Sequence, residues 1–223
     1  TEEELRKVGD ICLRNNILVV SDEIHCDLIM QGYKHTTFAN ICDEFADNTI
    51  TCISPSKTFN IEGMQCSNIF IKNERLRDTY LKELLKTAQS NRLNILGYKA
   101  TEIAYTQCDE WLNQLIELID TNRRMLTEFI ETNIPQIKVI NMEGTYLQWI
   151  DCRNLGIDHK ELERINIFEA QLFTDEGYIF GEEGIGFERL NLACPTKVLM
   201  DALKRFKCTL DKYMVKESIM ENI

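Results

Sequence analysis

The chain of 223 residues carries 25 lysines and arginines against 36 aspartates and glutamates, which gives a formal net charge of −11 at pH 7. This surplus of negative charge argues against nucleic acid or an anionic membrane as the main partner, because both are themselves negatively charged. Hydrophobic residues make up 44% of the sequence, enough for a folded core, and no apolar run is long enough to span a bilayer.

The nine cysteines are spread along the chain without a C-x-x-C pair. An odd, scattered set predicts reduced thiols in a cytoplasmic protein rather than a disulfide framework. The three histidines and the cysteines show no ligand spacing, so the sequence predicts no metal site. The chain opens on Thr1 inside a helix-start signal, with Glu4 completing a capping box, and we therefore expect a fragment of a longer protein.

The first hundred residues alternate between helical and strand-forming segments, the pattern of an α/β fold. The continuous apolar run at 17–20 predicts a strand buried on both faces, as in a parallel sheet. The other predicted elements are helices over 2–15, 73–90 and 94–106 and strands over 50–53 and 68–71.

The second half of the chain changes character. A long helix over 109–132 stops before Pro135, and such a helix is a plausible linker between domains. Beyond it we predict a small α+β domain. Its elements are strands over 136–140, 145–150, 178–180 and 187–192 and helices over 158–171 and 196–215.

Polar residues come directly after two of the predicted strands. Ser54, Ser56 and Lys57 stand at the end of one of these strands, a position where α/β folds bind ligands. The serine hydroxyls can hold a phosphate, and the lysine amine can form a Schiff base with a carbonyl cofactor. Asp22 and His25 stand at the end of the other, and a carboxylate there can keep a ring nitrogen protonated. The alternatives are a solvated turn lysine, a turn or capping aspartate, and a packed histidine.

Arg189 lies inside a predicted strand whose opposite face carries Leu190 and Leu192. A guanidinium flanked by apolar residues needs an anion, because its desolvation is otherwise costly. A substrate carboxylate bound by two parallel hydrogen bonds would satisfy it, and so would a structural ion pair.

Four segments, taken together, resemble enzymes of the class I/II aminotransferase superfamily, which use pyridoxal 5'-phosphate (PLP) on fold type I. The segments are VVSDEIHCDL (19–28), TCISPSKTFNIEGMQCSN (51–68), EGTYLQWID (143–151) and FGEEGIGFERLNLACP (180–195). The likeness covers essentially the whole chain and is most marked to the cystathionine β-lyase subgroup that also contains maltose-regulon modulators.

The resemblance implies a role for each candidate residue. Lys57 is the lysine that forms the Schiff base and moves the α-proton, and Asp22 is the partner of the pyridine nitrogen. Ser54 and Ser56 stand at phosphate-contacting positions, and Arg189 is the clamp for the substrate α-carboxylate. Two positions depart from the pattern of many relatives. His25 replaces a tyrosine that donates to the phenolic oxygen, and Gln65 replaces an arginine that binds the phosphate.

The resemblance also implies the domain organisation and the partners. Residues 1–105 are the later part of a large PLP-binding domain, a mostly parallel sheet with flanking helices; 106–133 form the linking helix and 134–223 the small C-terminal α+β domain. The partner is a small-molecule amino acid, with no nucleic acid or membrane, and the intact protein is a homodimer. The phosphate loop and ring-stacking aromatic of relatives are absent from this sequence, so we expect the chain to be inactive alone.

Three functions remain open from the sequence. The leading interpretation is a PLP-dependent carbon–sulfur β-lyase acting on sulfur-containing amino acids. The alternative is an aminotransferase that moves an amino group between an amino acid and a 2-oxo acid with the same residues. The third is an aminotransferase-like regulatory domain that senses PLP without catalysis.

Overall fold

A computed structural model of the chain describes residues 1–87 and 93–220, with side chains described up to residue 214. The chain divides into two compact units, Thr1–Asn113 and Gln114–Ile223, and the division falls inside a single long helix. None of the helices in these described ranges combines the length and the apolar character needed to cross a bilayer.

The first unit is an α/β layer built on a three-stranded sheet of order β1-β2-β3. β1 pairs parallel with β2, and β2 pairs antiparallel with β3. The α/β fold class predicted from the sequence is therefore confirmed. The elements are α1 (Glu2–Arg14), β1 (Val19–Asp22), α2 (Asp43–Asp47), β2 (Thr49–Ile53), α3 (Pro55–Phe59), β3 (Asn68–Ile71), α4 (Glu74–Lys86) and α5 (Ile95–Gln107).

Local signals set most of these boundaries. The capping box at Thr1 and Glu4 opens α1 as predicted. Asn73 and Asn94 accept backbone hydrogen bonds as the N-caps of α4 and α5. The predicted continuation of α4 over 88–90 lies outside the described residues.

One prediction about the sheet is wrong: the apolar run at 17–20 is not buried on both faces. Val20 is 63% exposed, and Ile17 and Leu18 are about half exposed. β1 has β2 as its single strand neighbour in the part of the chain that the structure describes, so it lies at a sheet edge. A run of aliphatic residues predicts a strand, but its burial depends on neighbours that the run itself does not encode.

The second unit joins a four-stranded antiparallel sheet of order β4-β5-β7-β6 to helices. Its elements are β4 (Lys138–Val139), β5 (Leu147–Asp151), α7 (His159–Phe168), β6 (Asp175–Glu176), β7 (Phe187–Asn191) and α8 (Thr196–Met220). The long helix α6 (Asp109–Asn133) contributes a stripe of buried residues at helical spacing, Ile119, Asn122, Leu126 and Ile130.

Asn122 is the polar member of that stripe, and its amide nitrogen is satisfied by two backbone carbonyls. Nδ2 donates to the carbonyl oxygens of Leu192, at 2.9 Å, and Cys194, at 2.8 Å. Two hydrogen bonds from this fully buried side chain therefore hold the segment after β7 against α6. They help to position β7, the strand that carries Arg189.

The strand predicted over 178–180 is wrong, because Gly177–Phe180 form a turn of 3-10 helix. The β-pairing with β7 stops at Glu176. Gly177 then packs against the backbone of Gly184 so closely that a Cβ on Gly177 would lie 2.0 Å from the Gly184 carbonyl oxygen. The apolar composition of 178–180 indicated a strand, but the backbone contact between the two glycines requires a compact turn.

Glu188 is a buried carboxylate in β7, on the face opposite Arg189. It is 2% exposed, and the Thr174 hydroxyl donates to its Oε2. Burial raises the pKa of Glu188 from 4.5 to about 7, against the lowering effect of the Thr174 hydrogen bond. The carboxyl is therefore protonated in the folded protein at pH values where the unfolded chain has lost the proton.

We expect Glu188→Gln to remove a pH dependence of stability. Between pH 4.5 and about 7 the folded state holds a proton that the unfolded chain releases, so the free energy of unfolding falls as pH rises through this window. The glutamine amide has the same shape as the carboxyl but does not titrate. The variant should therefore lack a pH-dependent loss of unfolding free energy that amounts to at most about 3 kcal/mol. Urea unfolding at pH 5 and pH 8 measures it, with the exposed Glu131→Gln as control. An unchanged slope in Glu188→Gln would contradict this account.

Candidate active site

The parallel pairing of β1 and β2 brings the candidate groups of the first unit to one edge of the sheet. Asp22, the last residue of β1, stands opposite Cys52, and Ser54 comes two residues later. The Glu23 backbone N–H donates to the Cys52 carbonyl oxygen at 2.8 Å and prolongs the pairing. Because neighbouring strands lie about 5 Å apart, the Asp22 carboxylate and the segment from Ser54 to Lys57 share this edge.

Asp22 opens a tight turn that runs to Leu28. Its Oδ1 accepts a hydrogen bond from the Ile24 backbone N–H at 3.2 Å, while the rest of the carboxylate is exposed. The Leu28 N–H donates to the carbonyl oxygen of His25, which places the half-buried His25 inside the same turn. Asp22 is thus oriented by its own backbone and retains acceptor capacity for a ligand.

Glu23 has a structural role that the sequence did not indicate. It is 7% exposed, and its carboxylate accepts hydrogen bonds from Ser21 Oγ at 3.0 Å and from the Phe38 backbone N–H at 3.1 Å. Its other oxygen lies 2.6 Å from His35 Nε2. These contacts attach the turn after β1 to residues 35–38.

Ser54 caps the five-residue helix α3, which carries Lys57. Its Oγ accepts from the Ser56 backbone N–H at 3.1 Å and donates to the Cys66 carbonyl oxygen at 2.7 Å. Oγ of Ser56 lies 2.7 Å from Oγ of Ser54. Ser54 is buried and its hydroxyl is satisfied within the protein, so Ser56 presents the more accessible hydroxyl for an anionic ligand.

Lys57 is partly exposed, at 36%, and its Nζ lies 3.3 Å from Oε1 of Glu62. The pKa of the Glu62 carboxyl is lowered, first by a backbone hydrogen bond and then by Lys57. Exposed pairs of this kind contribute little, about 0–1 kcal/mol, so a ligand can separate them. The turn between them depends on Asn60, whose φ of 54° ends α3 in the left-handed conformation.

Asp27 is a carboxylate that contacts α3 through Thr58, and no role for it was apparent from the sequence. Its Oδ2 accepts a hydrogen bond from Thr58 Oγ1 at 2.8 Å. The two residues are 31 positions apart, so no local spacing could reveal the contact. The remaining signal was the acidic character of the turn itself, with carboxylates at 22, 23 and 27.

Arg189 belongs to the second unit and makes the ion pair that the sequence left open. Its Nε and Nη2 donate to Oδ2 of Asp175 at 3.0 and 2.7 Å. The guanidinium carbon lies 4.4 Å from the centroid of the Phe180 ring, and Trp149 is its cross-strand neighbour on β5. Asp175 occupies one edge of the guanidinium, and the Nη1 side retains donors for a second carboxylate.

Comparison with known proteins gives a consistent family. The family model described as aminotransferase class I and II matches residues 1–206. The chain is 38% identical over 210 residues to cystathionine beta-lyase PatB of Bacillus subtilis (strain 168), covering 94% of this chain and 54% of that protein. It is 32% identical over 199 residues to the protein MalY of Escherichia coli (strain K12), covering 89% of this chain and 50% of that protein.

A solved structure agrees with these relatives. Cystalysin from Treponema denticola, whose crystal structure contains a pyridoxal 5'-phosphate cofactor, superposes with a TM-score of 0.93 and 50% sequence identity. The match covers 96% of this chain and 54% of that one. The chain thus spans about half the length of the curated relatives it matches.

We expect Ser54→Ala to destabilise the first unit by about 1–3 kcal/mol, because it removes the helix cap and the hydrogen bond to the Cys66 carbonyl. Urea unfolding measures the change. The matched control is Ser67→Ala, an exposed serine of the same loop, which should leave the midpoint unchanged. Equal midpoints for the two variants would show that the Ser54 hydroxyl does not hold α3.

Proposed function

The chain belongs to the aminotransferase class I and II family, and from that premise we propose that the whole protein carrying it is a PLP-dependent carbon–sulfur β-lyase. Its substrates are sulfur-containing amino acids such as cystathionine. The observation that carries the proposal is the placement of Asp22, Ser56 and Lys57 at the carboxyl edge of the parallel strand pair β1–β2. The 38% identity to a cystathionine beta-lyase supports the lyase branch of the family.

The chemistry of these groups fits PLP. Lys57 supplies a primary amine for the aldehyde, Asp22 a carboxylate for the ring nitrogen, and Ser56 a hydroxyl for the phosphate, with Ser54 beneath it. His25 lies in the turn after Asp22, where we propose that it contacts the cofactor ring. When bound, PLP draws electrons away from the α-carbon of the amino acid.

Each residue then has a defined task. Lys57 would hold the cofactor through its Nζ amine, and the same amine would take the α-proton of the substrate. The Asp22 carboxylate would keep the ring nitrogen of the cofactor protonated. Arg189 receives the substrate α-carboxylate on the guanidinium edge that Asp175 leaves unengaged. Breaking the carbon–sulfur bond would release the thiolate, which takes up a proton to leave as a thiol, and hydrolysis of the remaining three-carbon fragment would give pyruvate and ammonia.

An aminotransferase is the second candidate, since both reactions begin with removal of the α-proton by Lys57. The two reactions diverge after that step. A lyase releases pyruvate and a thiol from cystathionine without a second substrate, whereas an aminotransferase needs a 2-oxo acid and returns a new amino acid. Assays with and without a 2-oxo acid therefore separate them.

We also infer the organisation of the whole protein. Residues 1–105 form the later part of a large PLP-binding domain, 106–133 the linking helix, and 134–223 the small C-terminal domain. Two features of the structure support this: α6 spans Asp109–Asn133, and the two compact units divide within it. We further propose that the whole protein is a cytoplasmic homodimer.

We expect PLP to form a covalent adduct with Lys57. Titration with PLP, borohydride reduction and peptide mapping should place the adduct on Lys57 and should find none in Lys57→Ala. The control is Lys72→Ala, a partly exposed lysine of the same unit that pairs with Asp43, which should label as the unaltered protein does. A whole protein without an adduct on Lys57 would refute the PLP assignment.

The same mapping on the 223-residue chain tests how much of the cofactor site it carries. An adduct in the whole protein but not in this chain would mean that the cofactor needs residues beyond this sequence. An adduct in both would mean that the groups on β1, α3 and their loops suffice.

We expect Arg189→Lys to raise KM for the amino-acid substrate by about tenfold or more, with a smaller change in kcat, because an ammonium cannot form two parallel hydrogen bonds to a carboxylate. Arg153→Lys is a closely matched control. Arg153 also pairs with an aspartate, Asp151, and lies over an aromatic ring, Phe187. Equal effects of the two substitutions on KM would contradict the proposal that Arg189 binds the substrate carboxylate.

A further inference from the structure

We propose that Asp27 is a positioning residue that holds the Lys57 helix in register with the Asp22 turn, so that the amine and the ring-nitrogen partner keep a fixed separation. The inference rests on the proposed function, because it gives Lys57 and Asp22 a common ligand. Nothing in the family comparison assigns a role to Asp27, and the structure supplies the contacts that suggest one.

Asp27 has contacts in its own turn and on α3, and a residue of α5 lies close to it. Thr58 Oγ1, on α3, donates to Oδ2 at 2.8 Å, and Cys26 Sγ lies 3.7 Å from Oδ1. The Tyr105 side chain, on α5, lies close enough for the Asp27 charge to raise the pKa of its hydroxyl. One carboxylate therefore connects the turn after β1 to α3, a helix 31 positions away in sequence.

The partners of Asp27 remain neutral donors. Burial first, and then the Asp27 charge, raise the pKa of the Cys26 thiol to about 11. Burial also raises the pKa of the Tyr105 hydroxyl, with Asp27 as the next cause. The cluster therefore holds its protons through the physiological range, and Asp27 accepts hydrogen bonds without meeting a second charge in it.

The contact with Thr58 controls the direction of Lys57. Thr58 is fully buried and comes directly after Lys57 in α3. Successive helical side chains differ by about 100° around the axis, so fixing Thr58 fixes the direction in which Lys57 leaves the helix. A short helix makes few bonds of its own, and an anchor from outside it has a correspondingly large influence.

The other end of the connection is equally fixed. Asp27 lies five positions after Asp22, in the turn closed by the Cys26 N–H on the Glu23 carbonyl at 2.9 Å and by the Leu28 N–H at 3.0 Å. Leu28 itself is fully buried. Movement of Asp27 would therefore disturb the turn that orients Asp22.

Aromatic packing supports α3 from the side of α5. The Phe59 ring meets Tyr105 edge-on at 5.5 Å between centroids and stacks on Trp111 at 6.0 Å. Tyr105 thus touches α3 through its ring and is close enough to Asp27 for that charge to raise the pKa of its hydroxyl. Lys57 must leave and regain the same position in every turnover, and small displacements of such a group cost rate steeply.

The test measures PLP release rather than turnover alone. The rate at which the PLP-loaded whole protein loses PLP to a scavenger is followed by absorbance. Two variants are compared with the unaltered protein: Thr58→Val removes the hydroxyl, and Asp27→Asn removes the charge, each with little change of shape. We expect about a tenfold faster release, equivalent to about 1.4 kcal/mol. Thr58→Ser keeps the hydroxyl and should stay close to the unaltered rate.

The controls separate positioning from general stability. Asp43→Asn removes a highly exposed carboxylate paired with Lys72 and should change nothing. Tyr105→Phe removes the hydroxyl near Asp27 at a position that is 36% exposed, and it should speed PLP release by about threefold. This variant replaces Thr58→Val in the test if Thr58→Val does not fold. Asp27→Asn combined with Thr58→Val should show less than the sum of the two single effects, because both act on the same hydrogen bond: the first weakens its acceptor and the second removes its donor.

Two outcomes would overturn the inference while leaving the proposed function intact. Thr58→Val and Asp27→Asn could lower the urea midpoint and leave PLP release, KM and kcat unchanged, which would make the cluster merely structural. Thr58→Ser could release PLP as fast as Thr58→Val, which would show that the hydroxyl is irrelevant. An unaltered protein with no PLP on Lys57 would instead refute the proposed function itself.

Discussion

The parallel pairing of β1 with β2 is the constraint on which the candidate site depends. It sets Asp22 opposite Cys52 and so brings the end of one strand beside the start of the helix that bears Lys57. A slip of one residue would turn the Asp22 side chain to the other face of the sheet. The site needs this register more than it needs any single hydrogen bond, because no local contact would restore the lost alignment.

Three carboxylates within six residues divide the work around that register. Asp22 is exposed and available to a ligand, Glu23 is engaged by contacts with residues 21, 35 and 38, and Asp27 accepts a hydrogen bond from α3. Desolvation alone would make the two inner carboxylates costly, and the hydrogen bonds they accept offset that cost. The exposed Asp22 carboxylate is thus held by a turn in which the Glu23 and Asp27 carboxylates accept hydrogen bonds from the protein.

The sequence anticipated what is local and missed what is distant. The apolar runs and caps predicted β2, β3, α1 and α6, because periodicity and capping are encoded within a few residues. Other features depend on residues that are far apart along the chain, and the sequence did not predict them. They are the burial of β1, the turn at 177–180, the contact from Thr58 to Asp27 and the pairing of Arg189 with Asp175. For Arg189 the sequence left two interpretations, a structural ion pair or a ligand-binding residue. The structure shows that Asp175 occupies one edge of the Arg189 guanidinium.

The exposed edge of β1 has a consequence for the behaviour of this chain in solution. Its outer backbone groups meet no strand in the ranges that the structure describes, and Val20 is 63% exposed on the same strand. Such an edge is a template for strand addition between molecules. The net charge of −11 opposes that encounter at low ionic strength. Added salt screens the repulsion without changing the apolar edge, so we expect any self-association of the chain to increase with ionic strength.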